Sequence, residues 1–116
     1  MKQGSQLSVR SSSSIEKYKS RRIRVAIRHV LMGKWDPIGV ADEPMAWDEY
    51  DRYIGGVFEL LQENGSREAI EIYLRNIEVQ RMGLVDGSGE PLMPIAKRVE
   101  AAGQLQQVFH QQMLID

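Results

Sequence analysis

The sequence predicts an all-α fold, a small bundle of about four helices with an apolar loop between the first two. Apolar residues recur at steps of three and four in four separate windows, which is the period of an amphipathic helix. No window shows the apolar–polar alternation of a strand. The 116 residues, 42% of them hydrophobic and none of them cysteine, can form one core without disulfides. We therefore expect a disordered tail over residues 1–14 and a single helical domain over residues 15–116.

The first helix is predicted to run from about Ile15 to Met32, with Ser13 or Ser14 as its N-cap and Gly33 at its end. Its apolar stripe consists of Ile23, Ala26, Ile27 and Val30. A basic stripe lies nearly opposite and consists of Lys17, Arg21, Arg24 and Arg28.

The sequence W-D-P-I-G-V follows, and its proline and glycine make a continued helix unfavourable. Because Trp35, Ile38 and Val40 are apolar, we expect this loop to pack onto the core. The second helix is predicted from Pro44 to about Glu63, and Asp42 or Glu43 precedes it as the cap. Its predicted apolar face consists of Trp47, Tyr50, Ile54, Val57, Phe58 and Leu61.

Gly55-Gly56 interrupts that pattern and predicts the close approach of another backbone. Ser66 is expected to cap a third helix from about Arg67 to Met82, antiparallel to the second. Residues 85–93 have the composition of a mobile loop. A fourth helix follows Pro94. Its apolar face consists of Ile95, Val99, Ala102, Leu105, Val108 and Phe109.

Charge is distributed unevenly along the chain, although the formal net charge is only −1. Residues 1–34 hold nine Lys or Arg and one acid, whereas residues 35–51 hold six acids and no base. A basic first helix therefore precedes an acidic segment. The acids are Asp36, Asp42, Glu43, Asp48, Glu49 and Asp51.

Two interpretations of the acidic segment remain open. Carboxylates cluster at a helix start because they complement its dipole and cap free N–H groups. They can also act in acid–base chemistry, hold a hard metal ion or face a partner. The spacing matches no calcium loop. Among the nearby rings, Trp35, Trp47, Tyr50 and Tyr53, we expect mostly core residues, with one of the two tyrosines at the surface.

The basic stripe also has two interpretations. It can contact a phosphate backbone, or it can form a solvated face that pairs with the acidic segment. His29 and His110 are predicted to be surface or boundary residues, because no nucleophile and acid accompany them at a recognisable spacing. The sequence predicts no catalytic set, no cofactor and no metal site.

The run Trp35-Asp36-Pro37-Ile38-Gly39-Val40, then Asp42-Glu43-Pro44, then Asp48-Glu49-Tyr50-Asp51 with Tyr53, resembles a set of small bacterial helical proteins of unknown function. Tyr73-Leu74, Ile77-Glu78 and Met82-Gly83-Leu84 extend the likeness, which covers roughly residues 20–84. The resemblance implies a compact helical domain of bacterial or phage origin. It implies no activity and no catalytic residue.

These observations favour a protein-interaction module, in its narrowest form an immunity or antitoxin-type inhibitor of a basic partner. The expected contacts are Asp36, Asp42, Glu43, Asp48, Asp51 and Tyr53. One alternative is nucleic-acid binding through Lys17, Arg21, Arg24 and Arg28. Another is a metal-dependent enzyme that uses Asp36, Asp42, Glu43 and Asp48. No apolar run is long enough to cross a membrane, and we expect the protein in the cytoplasm.

Overall fold

The computed structural model describes residues 17–115, and within that range the fold is all-α with four helices. They are α1 over residues 17–30, α2 over Ile54–Gln62, α3 over Arg67–Asn76 and α4 over Ile95–Met113. A single isolated bridge, Val85 to Pro91, is the only β-type pairing among these described residues. The predicted all-α fold is therefore confirmed. The predicted tail and the serine cap of the first helix lie outside the described residues.

The sequence predicted that the first helix ends at Gly33, but the helix continues beyond this residue. It continues as a π-helical turn, Leu31–Trp35, and ends at Asp36, which has the left-handed φ of 37° and donates its N–H to the Leu31 carbonyl at 2.8 Å. This wide turn carries Trp35 into the core, where its side chain is fully buried. The loop expectation holds for Trp35 and for half-buried Val40, but Ile38 is 43% exposed.

The predicted second helix is only half helical, because residues 44–53 form two 3₁₀ turns, Pro44–Ala46 and Asp51–Tyr53, before α2 begins. Glu43 precedes the first turn without a side-chain capping bond. Tyr50 and Tyr53 belong to the second of these turns, in which the Tyr53 N–H donates to the Tyr50 carbonyl at 3.0 Å, so the two side chains lie on the same side and both are buried. Trp47 precedes this turn and points outward.

α2 and α3 form the expected antiparallel pair. The start of α2 lies beside the end of α3, where the Tyr73 hydroxyl donates to the Tyr53 carbonyl at 3.4 Å. Gly55-Gly56 leaves room for this contact. The sequence predicted that another backbone approaches these glycines, but the approaching group is the side chain of Tyr73. A Cβ at Gly56 would clash with the ring and hydroxyl of Tyr73, whereas a Cβ at Gly55 would meet nothing within 4 Å.

Both ends of the third helical segment match the sequence prediction. Ser66 caps α3 by accepting the Ala69 N–H at 3.0 Å, and a π-helical turn, Ile77–Arg81, extends α3 to Arg81, two residues before Gly83, whose φ is +66°. The wide turn was not predicted.

Residues 85–93 form a structured turn around one carboxylate. Asp86 accepts hydrogen bonds from the Ser88 hydroxyl, the Ser88 N–H and the Glu90 N–H, and these bonds lower its pKa. The composition of this segment did not reveal that organisation.

The core lies where α1, α2, α3 and α4 meet, and α3 packs most extensively against α4. The predicted face of α4 is confirmed at its centre but not at its start, since Ile95 is 62% exposed. Buried core residues include Ile23, Ile27, Leu31, Trp35, Tyr50, Val57, Ile70, Leu74, Ala102, Leu105 and Phe109.

Candidate functional site

The acidic segment is anchored to the fold by Asp36. Its carboxylate accepts hydrogen bonds from the Tyr50 hydroxyl at 2.7 Å, the Val40 N–H at 2.8 Å and the Ala41 N–H at 3.0 Å. Burial alone would raise the pKa of Asp36, but these three hydrogen bonds together lower it below its usual value. The Tyr50 hydroxyl also accepts the Ile38 N–H at 3.2 Å. Asp36 therefore holds its own loop and is not available to a partner.

Three of the four aromatic residues predicted near the acids belong to the core. The ring of Trp35 lies 5.3 Å from that of Tyr50 and meets the edge of Tyr53 at 6.1 Å, between centroids. Burial, followed by the hydrogen bond to Asp36, raises the pKa of Tyr50. The expectation that one tyrosine reaches the surface was wrong. The outward ring is Trp47, 55% exposed, and Tyr53 is too buried to serve as a partner contact.

The basic stripe and the acidic segment meet at Arg28. Its Nε donates to Asp51 Oδ1 at 2.8 Å and its Nη2 to Asp51 Oδ2, a bidentate pair. The hydrogen bond to Asp51 raises the pKa of Arg28. The same guanidinium lies over the Trp47 ring, with Cζ 4.4 Å from the centroid. Internal pairing thus occupies Arg28 and Asp51, and it holds Trp47 in place from beneath.

Four carboxylates of the segment remain exposed together with two large apolar side chains. Met45 is 90% exposed and Trp47 is 55% exposed. We call this surface the acidic face. It consists of Asp42, Glu43, Met45, Trp47, Asp48 and Glu49. The sequence over residues 35–51 contains no Lys or Arg, so no base of the segment itself neutralises these acids.

A cleft of about 390 Å³ separates the acidic face from the end of α1. Glu43, Pro44 and Trp47 line one side of it, and His29 and Met32 line the other. Arg28 also lines the cleft, with its guanidinium on the Trp47 ring, so the cleft combines one carboxylate and one arginine with an aromatic ring and apolar walls.

The rest of the basic stripe lies at the surface. Lys17, Arg21 and Arg24 are exposed, with the guanidinium of Arg24 5.3 Å from the Phe58 ring centroid and that of Arg21 5.9 Å from Tyr18. The predicted pairing with the acidic segment is therefore observed at Arg28 but not along the whole stripe.

A buried ionic network lies between the helices, and the sequence did not predict it. Arg98 donates from Nε to Glu71 Oε2 at 2.7 Å, and from Nη1 to Glu78 Oε1 at 2.8 Å and to the Met93 carbonyl at 3.1 Å. Trp35 Nε1 donates to Glu78 Oε2 at 2.7 Å. Burial raises the pKa of Glu78, and the hydrogen bonds from Trp35 and Arg98 oppose that rise.

The network ties α3, α4 and the end of α1 together, with all three charged side chains less than a tenth exposed. Its chemistry is structural, because both carboxylates are occupied by protein donors. A signal was present in the sequence. Glu71 and Glu78 lie next to Ile70 and Ile77 on the apolar stripe of the third helix, seven residues apart, and so share its buried side.

The structure gives no support to the metal-enzyme alternative. Asp36 faces Tyr50, and the carboxylates of Asp42, Glu43 and Asp48 remain exposed without forming a chelating set. Over residues 17–115, no three His, Asp or Glu side chains lie close enough to hold a metal ion. His29 and His110 are exposed, as predicted.

Comparison of the chain with protein-family models, with curated proteins and with solved structures gave no match in any of the three. The resemblance to small bacterial helical proteins therefore stays a prediction. Within the part of the chain that the structure describes, no helix has both the length and the apolar character needed to span a bilayer.

Proposed function

We propose that this protein is a protein-interaction module whose acidic face binds a basic protein partner. The observation that carries the proposal is the exposure of Trp47 and Met45 among four exposed carboxylates, on a segment without a Lys or Arg. Three of the six contact residues expected from the sequence are no longer proposed as contacts. Asp36 and Asp51 form hydrogen bonds within the protein, and Tyr53 is buried in the core. An immunity-type inhibitor of a basic nuclease is the narrowest form of this proposal.

The physical basis is a central anchor with a charged rim. Tryptophan is enriched among the residues that dominate binding energy, and the stacked guanidinium of Arg28 positions the ring before a partner arrives. The surrounding acids steer a basic partner and accelerate association at low salt. A lysine or arginine of that partner can pair with Glu43 where this carboxylate lines the cleft.

The first test replaces the rim charges. Asp42→Lys, Glu43→Lys and Asp48→Lys are combined in one variant and compared with wild type as bait for proteins of the native host. The matched control reverses three exposed acids elsewhere, Glu59→Lys, Glu63→Lys and Glu68→Lys, and so carries the same net charge.

We expect a basic partner that the wild type and the control both retain and that the acidic-face variant loses. With the purified pair, Trp47→Ala should weaken binding by about 2 kcal/mol or more, the range of an interface hot spot. Rising salt should slow association more than it speeds dissociation. Equal loss of the partner from both charge-reversed baits would contradict the proposal, since net charge alone would then explain the binding.

Nucleic-acid binding is the second candidate, and the exposure of Lys17, Arg21 and Arg24 on one stripe favours it. The internal pairing of Arg28 counts against full use of the stripe. A mobility shift at low salt, repeated with Lys17→Gln and Arg24→Gln, tests it. Loss of a phosphate contact should reduce the salt slope by about one per cation. A shift that is unchanged in the variant would exclude this stripe.

A further inference from the structure

A second groove, separate from the acidic face, runs between α1 and α4. It has a volume of about 920 Å³ and is lined along α1 from Tyr18 to Lys34 and along α4 from Gln104 to Gln112. At 1.5 Å per residue, the α1 wall is about 24 Å long, or more than four helical turns. The floor is apolar where Val25 and Val30 of α1 face Val108 of α4, and Val25 is 43% exposed.

The charge of this groove has one sign. Arg21 and Arg22 lie near one end and Lys34 near the other, and no Asp or Glu is among the lining residues. Lys34 is about half exposed and only approaches Glu100, with Nζ 3.7 Å from Oε1. The cations are thus spread over about 20 Å along α1, since Arg21 and Lys34 are thirteen residues apart.

Two buried polar atoms of this groove lack hydrogen-bond partners among residues 17–115. They are Nε of Arg22 and Oε1 of Gln112. Buried polar atoms are nearly always paired in folded proteins, so an unpaired set in one groove calls for an explanation. Arg22 Nη2 donates to the Ile115 carbonyl at 3.4 Å, and a carboxylate in the groove becomes an acceptor for Nε once that buried side chain turns toward the groove, whereas Gln112 Oε1 requires a donor.

We propose that this groove binds an acidic amphipathic helix of a protein partner. The apolar floor matches the hydrophobic stripe of such a helix, and the wall length suits about four turns. Cations at both ends of the groove match carboxylates distributed along a helix better than the single head group of a fatty acid. The first sixteen residues of this chain hold two bases and one acid, and are therefore a poor electrostatic match. This inference does not rest on the acidic face.

The probe is a fluorescently labelled synthetic helix of about 16 residues, with leucines every three to four positions and flanking glutamates. Its control carries lysines in place of the glutamates. Anisotropy is measured with the full chain and with three variants. Arg21→Glu reverses a groove cation, Val25→Asp places a charge on the floor, and Arg75→Glu makes the same charge reversal at an exposed site on α3.

We expect the glutamate helix to bind, and the lysine helix to bind at least about tenfold more weakly. Arg21→Glu and Val25→Asp should each weaken the glutamate helix by about tenfold, while Arg75→Glu leaves it unchanged. Both groove positions are exposed, and circular dichroism will verify that the variants fold.

Four results would overturn the proposal. The first is equal binding of the two helices, and the second is that Arg75→Glu weakens binding of the glutamate helix as much as Arg21→Glu does. The third is self-association in sedimentation that Arg21→Glu abolishes, which would assign the groove to a second copy. The fourth is displacement of the probe by a peptide of residues 1–16, which would assign the groove to this chain's own N-terminal segment.

Discussion

Replacing Arg98 by methionine should be among the most destabilising single changes in this protein. Arg98 is only 3% exposed, and it gives two charge-assisted hydrogen bonds and one bond to a carbonyl. Methionine fills a similar volume but leaves Glu71 and Glu78 buried without a cation. Breaking a buried ion pair by removing one partner costs about 3–5 kcal/mol, and here two carboxylates are left behind.

That loss is large against a typical total stability of about 5–15 kcal/mol. Urea unfolding followed by far-UV circular dichroism measures it directly. With an m-value of about 1.5 kcal/mol per molar urea, the midpoint should fall by roughly 2–3 M. Lys97→Met, an exposed neighbour on the same helix, serves as the matched control and should change stability by no more than about 0.5 kcal/mol.

The deficit should depend on pH with a defined sign. Burial already raises the pKa of Glu78 in the wild type, and removing Arg98 takes away one of the bonds that oppose the rise. A carboxyl whose folded pKa is raised destabilises the fold as pH climbs through that pKa. The difference between Arg98→Met and wild type should therefore be largest near about pH 7 and smaller near about pH 5.

A triple variant completes the test, because Arg98→Met with Glu71→Gln and Glu78→Gln has no buried charge. The glutamine at position 78 still offers an oxygen to Trp35 Nε1. We expect the triple variant to regain much of the lost stability. A loss below about 1 kcal/mol in Arg98→Met, or a loss that is independent of pH, would refute the reasoning.

Two further predictions concern the α2–α3 contact and the loop anchor. Gly56→Ala should cost about 1–3 kcal/mol because its Cβ would displace Tyr73, whereas Gly55→Ala should stabilise by about 0.5–1 kcal/mol because it gains helix propensity in open space. Thermal unfolding of the two variants checks this, and equal effects would contradict it. Asp36→Asn should destabilise by about 1–2 kcal/mol at neutral pH, because the ionised carboxylate accepts three hydrogen bonds. Since the pKa of Asp36 is lowered by folding, its contribution is present above the unfolded pKa and is lost as pH falls through the folded pKa. Urea titrations at several pH values should therefore show the two proteins converging in acid, and a constant difference would argue against an ionised Asp36. Tyr50→Phe should show a weaker version of the same profile.

The helical framework could be predicted because local sequence controls it. Three confirmed features depend only on neighbours within one or two helical turns. They are the spacing of three and four residues that buries Ile23 and Ile27, the Ser66 cap, and the left-handed conformation of Gly83. The same reasoning failed over residues 44–53. A continuous helix from Pro44 would place Trp47 and Tyr50 on the apolar face with Ile54, but the chain forms 3₁₀ turns, and both tyrosines are buried while Trp47 is exposed.

The sequence predicted which segment carries the candidate site, but it did not predict which residues of that segment are available to a partner. The excess of acids over residues 35–51 indicated where to look, and Asp42, Glu43 and Asp48 are exposed there. Composition does not show that Asp36 bonds to Tyr50 or that Asp51 pairs with Arg28, because those partners lie 14 and 23 residues away along the chain. Trp47 became a candidate contact only once its exposure was known.

By itself, the sequence determined the fold class, the starts of α3 and α4 and the separation of charge between α1 and the segment that follows it. Only the tertiary structure decided which charges remain free. Glu71, Glu78 and Arg98 resemble ordinary surface residues by type, yet they pair across 20 and 27 residues in the core, and Trp35 joins Glu78 across 43. The physical reason is that burial of a charge requires a partner in space, and no local pattern specifies a partner brought in by another helix.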